Sequence, residues 1–205
     1  GMNLLLTRLA QRWGEVSITG TNIVLMQSAV LSTNAGASGI LVDAVAPVIS
    51  NVTVVATRGT ALRKRGPGTL RLGHSILVAG GGEEHAALAW EDGGLHSDWN
   101  NLRAANASWV GFRHGRWEKL SYWQAASGQD ANSVSFDPLF QNEPAGDLHL
   151  NSTAGRWSPI FNDWDYGDTT NSPLIDLGDP WIGTGDEVMY NGYRRNLGAY
   201  GGTEQ

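Results

Sequence analysis

Three aliphatic strings, Gly39-Ile-Leu-Val-Asp43, Thr60-Ala-Leu-Arg-Lys-Arg65 and Ala86-Ala-Leu-Ala-Trp-Glu91, align on Ile40, Leu62 and Leu88. Three residues on, each carries a charge: Asp43, Arg65 and Glu91. Stacked strands would set these side chains in one column of alternating sign. As an exposed ion ladder, each pair would contribute no more than about 1 kcal/mol. As a shallow groove on a sheet face, the same column would hold an acidic sugar, with Arg63, Lys64 and Arg65 binding its carboxylate. Val42, Lys64 and Trp90 form the adjoining column, which would stand an indole beside the cations; sugars stack on Trp through their apolar C–H faces. Cleavage of a glycosidic bond with water needs two carboxyls about 5–9 Å apart, for which Asp43, Glu91, Asp92 and Asp98 are available.

Other candidate groups are weaker. Asn162-Asp-Trp-Asp-Tyr-Gly-Asp168 brings Asp163, Asp165 and Asp168 near a glycine, a partial match to a Ca²⁺ loop. The bidentate Glu that closes such a loop is missing, so these carboxylates read better as Asx-turns and no metal is expected. His85, His96, His114 and His149 lack the spacing of zinc ligands. Gly80-Gly-Gly82 lacks the Lys-Ser/Thr of a phosphate loop and reads as a corner between strands.

Positioning these groups requires a repeat. Polar residues at 3, 27, 51, 74 and 97 each open a short string, at intervals of 24, 24, 23 and 23 residues. Coils of about 23 residues with two or three short strands are the rungs of a parallel β-helix. Each rung would bury its aliphatics only by stacking on its neighbours, about 4.8 Å away. His74 then reads as a turn residue in a polar column. Residues 4–13 can also be read as a helix, with Leu5, Leu9 and Trp13 on one face; the strand reading is adopted because Asn3 falls on the repeat. The chain would then begin in mid-solenoid, as the C-terminal part of a longer protein. Its first rung would be an open edge through which two copies pair. Regular rungs are expected over 3–102, and irregular last rungs with a Trp-rich cap over 103–205, in a single domain. The cap is expected to fold over the open end of the solenoid, its tryptophans plugging the end or presenting a carbohydrate-binding surface.

Composition narrows the class. Charged residues are 17% and glycines 27 of 205, the balance of a turn-rich globular chain. Net charge is −6 with no basic stripe, which argues against nucleic acid. Cysteine is absent, so disulfides and thiolate metal sites are excluded. No apolar run has the length of a membrane span, and Leu4-Leu-Leu6 is too short for the core of a signal peptide.

Four ordered strings carry a resemblance. They are Asp130-Ala-Asn-Ser-Val-Ser-Phe-Asp-Pro-Leu-Phe140, Asp147-Leu-His-Leu-Asn-Ser-Thr-Ala-Gly-Arg-Trp157, Ser172-Pro-Leu-Ile-Asp-Leu-Gly-Asp-Pro180 and Asn191-Gly-Tyr-Arg-Arg-Asn-Leu-Gly-Ala-Tyr-Gly-Gly-Thr203. Over residues 95–203 they resemble the closing segment of bacterial right-handed parallel β-helix proteins of the pectin-lyase-like class. The resemblance implies an all-β fold, a secreted or cell-surface location, and a polysaccharide or oligosaccharide partner. In lyases of this class a base removes the proton beside a uronate carboxylate while a cation or Ca²⁺ neutralises that carboxylate. Arg63, Lys64 or Arg65 would take those roles here. Lys64, Arg65, Glu91 and Asp92 are thus the catalytic candidates, and Asp43, Arg63, Lys64, Arg65 and Trp90 the binding ones. Neither a lyase nor a glycosidase signature is present. The expectation is a carbohydrate-binding or polysaccharide-processing β-helix without a complete active site. A structural or adhesive solenoid, and an intact lyase or glycosidase on the Asp43/Arg65/Glu91 face, are the alternatives.

Overall fold

Runs of Val, Ile and Leu broken by Gly, Asn and Pro favour short strands, because branched side chains pack well on a pleated surface and the breakers turn the chain. In the computed structural model, residues 4–7, 10–12, 14–158, 160–187 and 192–204 are described. The strands are β1 (Leu4–Thr7), β2 (Ala10–Arg12), β3 (Val16–Gly20), β4 (Ile23–Ser32), β5 (Ser38–Ala44), β6 (Val48–Ala56), β7 (Thr60–Lys64), β8 (Thr69–Gly73), β9 (Ile76–Ala79), β10 (Ala86–Trp90), β11 (Gly94–Asp98), β12 (Asn101–Ala104), β13 (Trp109–Phe112) and β14 (Arg116–Trp117). Helix α1 (Leu120–Ser127) follows, then β15 (Phe140–Asn142), β16 (Asp147–Leu150), β17 (Arg156–Ser158) and β18 (Asp163–Asp165).

Strands β1–β13 wind as a parallel β-solenoid of about four turns, the all-β parallel β-helix expected from the repeat. One sheet runs β1-β4-β6-β8-β11, extended by β2, β9 and β12; the other runs β14-β13-β10-β7-β5-β3. Ile40 pairs with Leu62 and Leu62 with Leu88, the register expected for the second strands. Inside, like residues stack. Val30, Val54, Leu77 and Leu102 form one fully buried column, held in register by parallel pairing across four rungs. Such a column gains its hydrophobic stabilisation only from the rungs above and below it.

The first sheet bends at a second column, Gln27, Asn51, His74 and Trp99, whose φ angles are 47°, 51°, 53° and 56°. Four left-handed residues in register turn each rung at the same place, and Asn is the side chain that best tolerates that conformation. Two expectations are corrected here. The fifth corner residue is Trp99 rather than Ser97, because the loop from Gly80 to His85 lengthens that rung and Ser97 pairs with Leu72. The first rung is shorter than expected: Ala10 pairs with Ala29 and Leu4 with Ile23, an offset of 19 residues rather than 24. Asn3, on which that register rested, lies outside the described residues, as do Leu9 and Trp13. The alternative helix over 4–13 is replaced by β1 and β2.

The cap is also placed differently. What closes the end of the solenoid is α1, whose Trp123 is completely buried against the interior core. Residues 130–136 then add a partial rung: Val134 N–H donates to Asn100 O, Leu102 N–H donates to Val134 O, and the Asn101 side chain bridges both backbone groups of Phe136. The C-terminal strings do not cover that end. They pack on the flank, where Leu148, Leu174 and Leu197 form a second apolar cluster with Leu31, Val55, Ile76 and Val78. Gly198 N–H donates to His74 O at 2.8 Å and Ala199 N–H to Thr53 Oγ1 at 2.9 Å, tying the last segment to the bend column. Beyond the bend, the outward residues Leu31, Val55, Ile76 and Val78 of β4, β6 and β9 are apolar, so this flank needs a cover as much as the end does.

Candidate functional site

The face with alternating charges is largely self-neutralised. Glu91 sits between two guanidiniums, paired to Arg63 through one oxygen and to Arg65 Nε at 2.9 Å through the other. Arg63 also donates to Ser38 Oγ at 3.2 Å. Asp43 is exposed and joins no ion pair among the described residues, so the ladder closes only at its Arg65–Glu91 step. Asp92 accepts from its neighbour Gly93 N–H. Asp98 lies on the other sheet, where it holds the side chain and backbone N–H of Asn132, so it does not join Asp43, Glu91 and Asp92.

Two of the expected binding residues are interior. The Val42–Lys64–Trp90 column points into the core, continuing Ile18, and Lys64 is completely buried. Its Nζ donates to the carbonyls of Arg65 at 2.5 Å, Gly66 at 2.6 Å and Asp92 at 3.2 Å. Burial pulls its pKa below the ordinary 10.5, opposed by the charges of Asp92 and Asp43. An ammonium spent on three turn carbonyls is neither a carboxylate binder nor an accessible base. Trp90 is buried too, with its Nε1–H on Gly93 O and the Arg113 guanidinium over its ring, so it offers no sugar platform. The strand period explains both corrections: residues at even spacing from Ile40 face inward, and Lys64 and Trp90 share that parity.

The acidic loop is likewise committed. Arg156, 5% exposed, donates from Nη2 to Asp165 and from Nε to Asp168, both at 2.9 Å. Asp163 accepts from Trp164 N–H. Among the described residues no group of three or more His, Asp and Glu side chains is placed to hold a metal ion.

Two recesses lie elsewhere. On the outer face of the first sheet, Val24, Val48, Arg71 and His96 stand in register on successive rungs. They line a groove formed by two hollows of about 430 and 520 Å³ that share Val48 and Arg71. Arg71 is exposed; its backbone N–H donates to Pro47 O at 3.0 Å, while its guanidinium has no hydrogen-bond or ion-pair partner among the described residues. At its far end the groove reaches His74, Asp98 and Trp99 of the bend. The His74 pKa is lowered by burial and by the Arg195 charge, against Asp179 and Asp98, and its Nε2 has no hydrogen-bond partner among the described residues. Sequence reasoning missed this groove. Its signal was the alternation in Thr69-Leu-Arg-Leu-Gly73, which turns Arg71 outward between two buried leucines.

The second recess, about 500 Å³, lies within the C-terminal lobe and is walled by His149, Trp164, Asp176, Glu187 and Tyr200 among others. His149 Nδ1 faces Asp147 Oδ1 at 2.6 Å, and its ring stacks on Tyr200 at 3.7 Å between centroids. Burial pushes the Asp147 carboxyl up, but its hydrogen bond and charge interaction with His149 outweigh that and hold it below 3.8.

No protein-family model matches the chain, and no curated protein or solved structure matches it either. The β-helix architecture is present, while kinship to the pectin-lyase-like class finds no match.

Proposed function

We propose that the chain is a carbohydrate-binding β-helix that takes an extended acidic polysaccharide along the outer groove of its first sheet. The observation that carries this reading is Arg71, an exposed residue whose guanidinium has no partner among the described residues, midway along a groove that crosses successive rungs. A free guanidinium offers a bidentate fork to a uronate carboxylate, whereas Arg63 and Arg65 are already paired with Glu91. Half-buried Trp99 supplies an aromatic surface at the groove end. The closing strings of the chain support a polysaccharide partner and a secreted or cell-surface setting. A processing reading rests on His96, paired in register with Arg71, as a base beside a carboxylate-holding cation.

Binding to polyuronates and to neutral polysaccharides tests the reading. Preferential uronate binding is expected, with Arg71→Ala weakening it about tenfold or more, since a charge-assisted hydrogen bond is worth about 1.5–3 kcal/mol. Arg65→Ala should leave it unchanged. Equal affinity for acidic and neutral polymers, or indifference to Arg71→Ala, would overturn the proposal. Absorbance from unsaturated products, lost in His96→Ala, would establish the processing reading. Silence in both assays would leave a structural solenoid.

A further inference from the structure

The outer groove changes character along its length. Val24, Val48, Arg71 and His96 each stand between two buried residues of the chain, so all four face outward from one column. Leu5, 63% exposed, pairs with Val24 and continues that column by one rung. The first three rungs therefore present Leu5, Val24 and Val48, and the next two present Arg71 and His96. Successive rungs are about 4.8 Å apart, so the column passes from apolar to polar within one step, between Val48 and Arg71.

Charge is just as unevenly placed. The Arg71 guanidinium has no partner among the described residues, and His96 beside it adds a ring N–H. Two residues on from His96, Asp98 brings a carboxylate to the same wall, held by Trp99 N–H, Asn132 N–H and Asn132 Nδ2. Arg194 is committed to the bend, where it lies 5.4 Å from the Trp99 ring centroid and donates to Gly178 O. A carboxylate seated on Arg71 would thus have apolar rungs on one side and an acid on the other. A second carboxylate over Val48 would give up water without gaining a donor, and one beyond His96 would face the like charge of Asp98.

We propose, resting on the uronate reading of this groove, that it selects a sparsely charged acidic polysaccharide, one uronate seating on Arg71 between neutral neighbours. The neutral rings lay their apolar C–H faces on Val48 and Val24, which offer contact area and no side-chain donor. Arg71 is then the anchor, while Val48 and Asp98 set the specificity against uniformly charged chains.

A single polyuronate whose carboxyls are reduced stepwise to primary alcohols tests the proposal, because backbone and linkage stay constant while charge falls. A partly reduced member is expected to bind the unmodified protein about threefold tighter than the fully charged parent of equal length, the scale of one exposed charge interaction. The fully reduced member should bind about tenfold or more weaker than the partly reduced one, for want of the charge-assisted hydrogen bond to Arg71. Val48→Lys places a second cation one rung from Arg71 and should move the optimum to the fully charged parent. Affinity that rises steadily with charge in the unmodified protein would overturn the proposal and leave uronate binding in the groove standing. Absence of binding by every member would overturn the uronate reading itself, and the proposal with it. The polymer series decides the matter even where the variant fails to fold.

Discussion

His74 shows how one side chain can serve the backbone and still carry a pH signature. It occupies the left-handed bend that Asn51 occupies one rung earlier, buried, with Nε2 unmatched. Its folded-state pKa lies below the ordinary 6.5, so the unfolded chain binds the proton more readily. The stability contributed by its neutral form is complete above pH 6.5 and is lost as the pH falls from there toward the folded value. His85 acts in the same direction, while the raised carboxyls of Glu143, Asp176 and Glu187 contribute below their ordinary values and lose that contribution as the pH rises. His74→Asn keeps a residue suited to φ > 0 and removes the titration. The variant is expected to lose less stability than the parent between about pH 6.5 and pH 5, measured as the difference in urea midpoints at each pH.

At the scale of the element, the end of the solenoid is closed by one indole. Trp123 is completely buried, its Nε1–H donates to Asp130 Oδ2 at 2.8 Å, and Asp130 in turn accepts from Ser97, Asn100 and Ser133. Helix α1 needs this anchor, because Lys119 provides no side-chain cap at its start. Gly111 leaves the room for it: a Cβ there would lie 2.1 Å from Trp123 Cε3. Gly111→Ala is therefore expected to displace Trp123 and cost about 1–3 kcal/mol, read as a lower urea midpoint. That tryptophans would close an end was legible in their clustering. Which one does so was not, since Trp181 in the same stretch is 93% exposed.

For the molecule as a whole, the parallel rungs leave an open edge. β3 ends one sheet, and its outer backbone edge has no strand partner among the described residues. An unpaired edge is a template for another chain. Light scattering at rising concentration is expected to give a mass above the 22.0 kDa of one chain. Ser17 and Thr19 are exposed on that strand, so Ser17→Lys with Thr19→Lys should return the mass to one chain through edge charge. A strict monomer at every concentration would count against pairing through this edge.

The sequence by itself determined the solenoid. Its 24- and 23-residue spacings over 27, 51 and 74 and the alignment of Ile40, Leu62 and Leu88 survive intact, because stacked rungs force like residues into columns and those columns are visible as a repeat. The tertiary structure decided which residues stand together once loops of unequal length intervene. The inward parity of Lys64 and Trp90 was already implied by their even spacing from Leu62 and Leu88, whereas the structure set Glu91 between Arg63 and Arg65 and moved the corner from Ser97 to Trp99. It also brought together groups far apart in the chain: Val24 with Arg71 and His96 along the groove, and His149 with Asp176 and Glu187 in the lobe. The groove follows the rung repeat, and the outward parity of Arg71 was legible in Thr69–Gly73, whereas the lobe arises from the docking of loops, which carries no period, so no local pattern could announce it.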